Sequence, residues 1–312
     1  MTPASVQAFV AEQHAPDATL YLLLDPLADC AADDPLHIET LRQTLGNNAI
    51  TPLHRPDLTH TPSACPMLVT LATPGVLPSQ TLMALSVLRA QEDLSRHKRY
   101  VCGWLSSSAA ARHLSAHIVS LGQLPLEKGQ AFFPIHEPLR LELLAGTFRR
   151  NDEGPWWPIQ HWLLPTSSGT SSLLVGIPEC RVTTDTRTTA VQQDVSMVSA
   201  LLSGWRRALR LPLTYAPARW NGPAALPPQA AAQAYIQIQQ ARHLGLSDPD
   251  DILTLALHRL MLHPLLHQHA GVRALIEQAV QGQAPLSHLL TPYNDSAWQR
   301  AVSDLNHAGA LQ

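Results

Sequence analysis

The sequence predicts an α+β or α/β chain in two parts, an N-terminal mixed sheet with packed helices over residues 1–180 and a C-terminal all-helical lobe over residues 181–312. Three observations lead there. In the first half, short apolar runs alternate with amphipathic stretches, the pattern of strands with helices packed on them. From Thr188 onward the apolar positions follow a helical period. Hydrophobic residues make up 45% of the 312, enough for a sizeable core and too many for a disordered chain.

Ser5 to His14 form a short amphipathic pattern with Val6, Phe9 and Val10 on one side. Thr19 to Asp25, TLYLLLD, is a buried strand ended by Asp-Pro. Asp34-Pro35 opens a helix to about Leu45, with Asp34 as cap, and Gly46-Asn47-Asn48 stops it. Met67 to Ala72 is the next strand, followed by a helix from Pro78 to about His97. Arg99 to Ser107 is a third strand, and Ser107 or Ser108 caps a helix through Leu121. A hairpin follows around Gly129, too short for a parallel crossover, so the sheet is expected to be mixed. Glu137-Pro138 opens a helix to Ala145 that Gly146 ends. Ile159–Leu164 and Ser171–Ile177 flank the turn signal SSGT and complete the sheet as a hairpin. Helical patterns then occupy about 189–210, 228–245, 249–262, 270–281 and 295–306, with a proline-rich linker near 211–228. Asp248 with Asp250 and Asp251 marks a strong helix start, acids at the positive end of the dipole.

Charged residues are only 14% of the chain, and a lightly charged surface suits a partner. Net charge is −3, with no basic excess for phosphates, so nucleic acid is not an expected partner. No apolar run reaches the ~18 residues of a membrane span. The N-terminus lacks a basic region and a long apolar stretch, and a cytoplasmic location is expected. Four scattered cysteines, Cys30, Cys65, Cys102 and Cys180, fit a reducing compartment and buried thiols.

Catalytic signatures are missing: there is no GxSxG elbow, phosphate loop, HExxH or GxGxxG. No cofactor is expected. His136-Glu137 and His37-Ile38-Glu39 could supply acid–base groups, but each sits at a helix start where capping explains it. His258, His263, His267 and His269 form the densest histidine group. His263 and His267 could clasp a metal from one helix face, but Pro264 disfavours helical geometry at His263. A metal-binding regulator using the His258–His269 cluster is therefore one alternative, and a hydrolase or transferase built on the N-terminal half is another. Trp156, Trp157 and Trp162 suit either a core or an aromatic anchor for a partner. Leu253, Leu257 and Leu260 lie with Leu255 and Leu262 on more than one face of their helix, more than a single buried stripe requires, so they too are candidates for partner contact.

The order of the segments TLYLLLDPLAD, CPMLVTL, VCGWLSSSAAARHLSAHI, GQAFFPIHEPLRLELL and WWPIQHWLLP resembles the Tap/TEC adaptor family of type VI secretion, over about residues 18–165. The positions that carry the resemblance are Asp25 at the end of the first strand, Pro66 before Leu68-Val69, Trp104 and Ser106 on the third strand, and Glu137-Pro138 at a helix start. Three positions depart from the family pattern: Pro134 and Leu139 stand where relatives carry arginine, and Glu137 replaces an aspartate. The ion pair those groups make is expected to be missing or rebuilt here. The resemblance implies a non-catalytic chaperone that binds a specific secreted effector and helps load it onto the VgrG spike. Because the family-like positions lie in the N-terminal half, the helical lobe is the expected seat of partner specificity.

Overall fold

The computed structural model describes residues 3–148, 150, 152–178, 186–210 and 225–309. Cys180 and most of the proline-rich linker lie outside the described residues. The fold is α+β, with a six-stranded sheet in the N-terminal half and helices in the C-terminal part. The chain divides into two compact units, Met1–Gln193 and Asp194–Gln312.

The first unit contains α1 (Pro3–Gln13), β1 (Thr19–Leu24), α2 (Ile38–Leu45), β2 (Ile50–Pro52), β3 (Met67–Ala72), α3 (Gln80–Glu92), β4 (Val101–Ser107), α4 (Ala111–Leu121), β5 (Gln123–Pro125), β6 (Gln130–Phe132), α5 (Pro138–Ala145), β7 (His161–Pro165), β8 (Ser171–Val175) and α6 (Thr186–Gln193). The main sheet has the order β2-β3-β1-β4-β7-β8, and β5 and β6 form a separate hairpin. Each neighbouring pair in the main sheet is antiparallel, so the sheet is not mixed. β3 and β4 do run parallel to each other, joined through α3, but β1 lies between them and pairs antiparallel with both. A helical crossover is thus present without a parallel ladder.

The sheet is buried on both faces. Leu20, Leu22 and Leu24 of β1 point to a core shared with Val6 and Phe9 of α1, Leu41 of α2, and Met83 and Val87 of α3. Tyr21 and Leu23 point to the other face, against Leu114 and Ile118 of α4, Leu141 and Leu144 of α5, Trp156 and Trp162. Alternate residues serve opposite cores, which is why β1 is apolar without a break.

Several helix starts differ from expectation. α2 begins at Ile38, capped by His37, while the Asp34 carboxylate accepts from the Leu36 N–H in the turn before it. α4 has Ala110 at its cap with no side-chain bond; Ser107 Oγ instead accepts from Ala109 N–H and donates to the Pro158 carbonyl. Both serine and aspartate compete for local backbone groups, and here they close turns one step upstream of the helix.

The division into units falls after Gln193 rather than near residue 180 because α6 is bound to the first unit. Thr189 Oγ1 donates to the Pro125 carbonyl at 2.8 Å, and Gln192 Nε2 donates to the Arg140 carbonyl at 2.9 Å.

The second unit comprises α7 (Val195–Arg210), α8 (Ala230–His243), α9 (Pro249–Met261), α10 (Ala270–Val280), α11 (Leu286–Leu290) and α12 (Asp295–Gly309). α9 is central and packs against α7, α8 and α11. Asp248 caps it by accepting from the Asp250 and Asp251 N–H groups. Buried Asp251 accepts from Leu286 N–H at 2.7 Å and so fixes the start of α11, an element with no clear sequence signature.

Candidate functional site

Four of the six resemblance positions meet at one end of the sheet. Asp25 follows the last residue of β1, and the register that pairs Leu24 with Met67 brings it beside Pro66. Its own N–H donates to the Tyr100 carbonyl. The Asp25 carboxylate accepts from Leu27 N–H at 3.0 Å and faces His136 Nε2 at 3.5 Å. Glu137, the next residue, receives Lys98 Nζ at 2.8 Å and Arg140 Nε at 3.1 Å. Pro138 is buried at the first turn of α5. Lys98 and Arg140 are thus the cations paired with Glu137. Arg140 also donates to the Gln192 carbonyl at 3.1 Å, which carries the network to α6.

The cluster continues on the far side through Arg55, which binds Asp57 through two nitrogens at 3.1 and 2.7 Å and stacks over Phe132. Burial alone would push the Asp25 carboxyl up, but His136, the Leu27 N–H and the Lys98 charge outweigh it and hold the group below the usual carboxylate range. An Asp–His pair is the orienting part of a nucleophilic triad. Here Asp25 is 1% and His136 2% exposed, so the pair lies inside the fold. Cys102 nearby is fully buried, and burial pushes its thiol well up, away from the reactive thiolate. What this arrangement can do is tie β1, β4, α5 and α6 together.

The other two resemblance positions lie further along β4. Trp104 is fully buried and donates from Nε1 to Ser86 Oγ at 3.0 Å. Ser106 Oγ lies 2.9 Å from His14 Nδ1, linking the end of α1 to the sheet. Burial and the neighbouring His161 lower the His14 pKa, and burial lowers that of His161.

Of the candidate partner residues, Trp156 is fully buried, packed edge-on against Phe148 at 5.7 Å, so it belongs to the core and not to a surface. Trp162 is buried too, whereas Trp157 is 39% exposed. Leu253, Leu257 and Leu260 are half-buried. Leu257 lies over Gly204 of α7, and leucines on several faces are what a helix enclosed by three others needs.

The histidine group disperses into local roles. His258 Nδ1 bonds the Thr254 carbonyl and its ring lies against Trp298. His263 Nδ1 accepts from Leu265 N–H, and His269 caps α10. Among the described residues no three His, Cys, Asp or Glu side chains gather as a metal site. Nor is any described helix long and apolar enough to cross a membrane.

Sequence reasoning missed the most exposed apolar side chains. The loop Thr73-Pro74-Gly75-Val76-Leu77-Pro78 leaves Val76 55% and Leu77 87% exposed. They border a cleft of about 460 Å³ between α1 and α3, with Val10, Ala11, His14 and Met83 in its lining. A second cleft of about 500 Å³ meets it at Val76 and runs over Thr19, Tyr21 and Thr70 at the ends of β1 and β3. The available signal was a Val-Leu pair between two prolines in a turn, where polar residues are the rule. No family model, curated protein or solved structure matches the chain.

Proposed function

We propose that this chain is a non-catalytic cytoplasmic adaptor that binds a secreted effector of a type VI secretion machine and assists its loading onto the VgrG spike. The observation that carries the reading is the convergence of Asp25, Pro66, Glu137 and Pro138, far apart in sequence, on one end of the sheet. That positions chosen by order alone also meet in space supports the reading. Their side chains are consumed inside the fold, as framework residues are. The exposed Val76, Leu77, Trp157 and Ile177 suit contact with another protein. In this reading the helical unit supplies the part of the contact that differs between partners.

The test is co-expression with the toxin-like and spike-like products of the adjoining genes, followed by size-exclusion chromatography and sedimentation. A stoichiometric complex with the effector, and a ternary complex with the spike, are expected. Failure of the purified chain to bind either product at micromolar concentration would refute the reading.

A further inference from the structure

A polar contact holds the last turn of α1 to the sheet. His14 Nδ1 lies 2.9 Å from Ser106 Oγ, and Ser106 is fully buried. Ser106 of β4 stands directly opposite His161 of β7 in an antiparallel ladder. Side chains so paired share one face, with Cβ atoms about 4.5–5.5 Å apart. The imidazole of His161 is therefore the neighbour of the hydroxyl that His14 meets. Its Nδ1 is buried and has no hydrogen-bond partner. A neutral ring can leave that nitrogen unprotonated, whereas a charged ring carries an N–H there with no acceptor.

The elements around the two rings offer no counter-charge. No Asp, Glu, Lys or Arg occurs in β1, β4, β7 or β8. The first turn of α3 brings Gln80 and Met83 towards His14, while the charged residues of that helix, Arg89 and Glu92, are in its last turn. Glu12 of α1 and Asp17 after it are exposed to water. Burial lowers the proton affinity of both rings, and His161 lowers that of His14 further.

α1 is also placed to move as one piece. The Pro16 carbonyl accepts from Gly75 N–H at 3.0 Å, which pins the chain just beyond His14 to the loop between β3 and α3. α1 itself is held by Val6 and Phe9 in the core and by the His14 contact. An 11-residue helix is marginal in water by itself, so α1 depends on these contacts.

We propose that His14, Ser106 and His161 form an acid-sensitive latch, in which protonation of the two rings releases α1 from the sheet by a pivot at Pro16. The proposal is independent of the adaptor reading. With α1 lifted, both rings meet water and take up protons near the ordinary histidine value, about pH 6.5. Held on the sheet they resist protonation. The stabilisation of the closed state is thus complete above about pH 7 and is lost as pH falls below about 6.5 towards the lowered native values. A ring that stays neutral at about pH 5.5, while its released form is about nine-tenths protonated, raises the opening constant about tenfold.

The test is amide hydrogen exchange of the full chain at about pH 7.5 and 5.5, corrected for the intrinsic pH dependence of exchange. The parent is compared with the double variant His14→Gln, His161→Gln, whose side chains stay neutral at both pH values. In the parent, protection of the α1 amides is expected to fall about tenfold or more, while those of β1 and β4 stay protected. In the double variant, α1 protection should change less than about twofold. An α1 that keeps its protection in the parent at the lower pH overturns the latch. So does a double variant that loses protection as the parent does, or a β1 that loses it in step with α1. If the double variant leaves α1 unprotected even at the higher pH, NMR titration of the parent's two rings decides. Midpoints below the ordinary value support the latch, and midpoints at or above it refute it.

Discussion

Replacing Asp25 with alanine tests the central framework claim. The side chain is 1% exposed and supports two groups, the Leu27 N–H at 3.0 Å and His136 Nε2 at 3.5 Å, itself 2% exposed. Removing the carboxylate takes away the acceptor of a buried donor, and a hydrogen bond to a charged group is worth about 1.5–3 kcal/mol. The 3.5 Å separation from His136 is longer than a good hydrogen bond, so the Leu27 bond carries most of the expected loss, about 2 kcal/mol. For a unit of this size that corresponds to a fall in Tm of about 4–8 °C. Urea and thermal unfolding, followed by fluorescence of the buried Trp104, Trp156 and Trp162, would measure it. Adding His136→Leu removes the orphaned imidazole, so the double variant should be less destabilised than the sum of the single ones by about 1–2 kcal/mol. Acid provides a second axis. The native Asp25 carboxyl lies below its ordinary range, so on acidification the unfolded chain takes up this proton first. The stabilisation is complete above about pH 4 and is lost as pH falls through the lowered native value. The gap between the parent and Asp25→Ala should therefore narrow below about pH 4. A loss under about 1 kcal/mol, or strict additivity with His136→Leu, would refute the role given to the pair.

Other consequences can be checked in the same way. Gly103→Ala should destabilise by about 1–3 kcal/mol, since a Cβ there would lie 2.7 Å from Trp162 Nε1 and 2.8 Å from the Leu163 carbonyl; urea unfolding measures it. Asp194→Ala should cost the second unit about 1–2 kcal/mol, read from its unfolding midpoint. It removes the acceptor of Gln239 and of both Arg242 nitrogens, and the figure is discounted because Arg242 is partly exposed. A tenfold excess of zinc should leave the unfolding temperature unchanged, because His258, His263 and His269 are engaged in separate local bonds; a rise would favour the metal-regulator alternative.

Local order was largely legible in the sequence. TLYLLLD and MLVTLA became β1 and β3, Glu137-Pro138 opened α5, and Asp248-Pro249 opened α9, since apolar runs and helix-start chemistry act over a few residues. Two short elements, β2 and α11, escaped because they depend on distant partners: the β3 ladder for one, Asp251 for the other. The sheet's direction escaped for a related reason. A continuous apolar strand suggests parallel pairing, but here burial on both faces comes from α1, α2 and α3 on one side and α4 and α5 on the other.

The sequence alone therefore determined the α+β fold class, the sheet in the N-terminal half followed by helices, and the existence of most long elements. Tertiary structure decided what the resemblance positions do. Asp25 and His136 are separated by more than a hundred residues, and nothing in their local patterns says that they share one buried contact. Trp156 and Trp157 are adjacent and identical, yet one is core and the other is exposed. Leu77 is an ordinary leucine until the turn that holds it is seen to point outward. Periodicity specifies which side chains are apolar and which face of an element they occupy; which of them meet, and which are left in water, depends on packing between elements far apart in the chain.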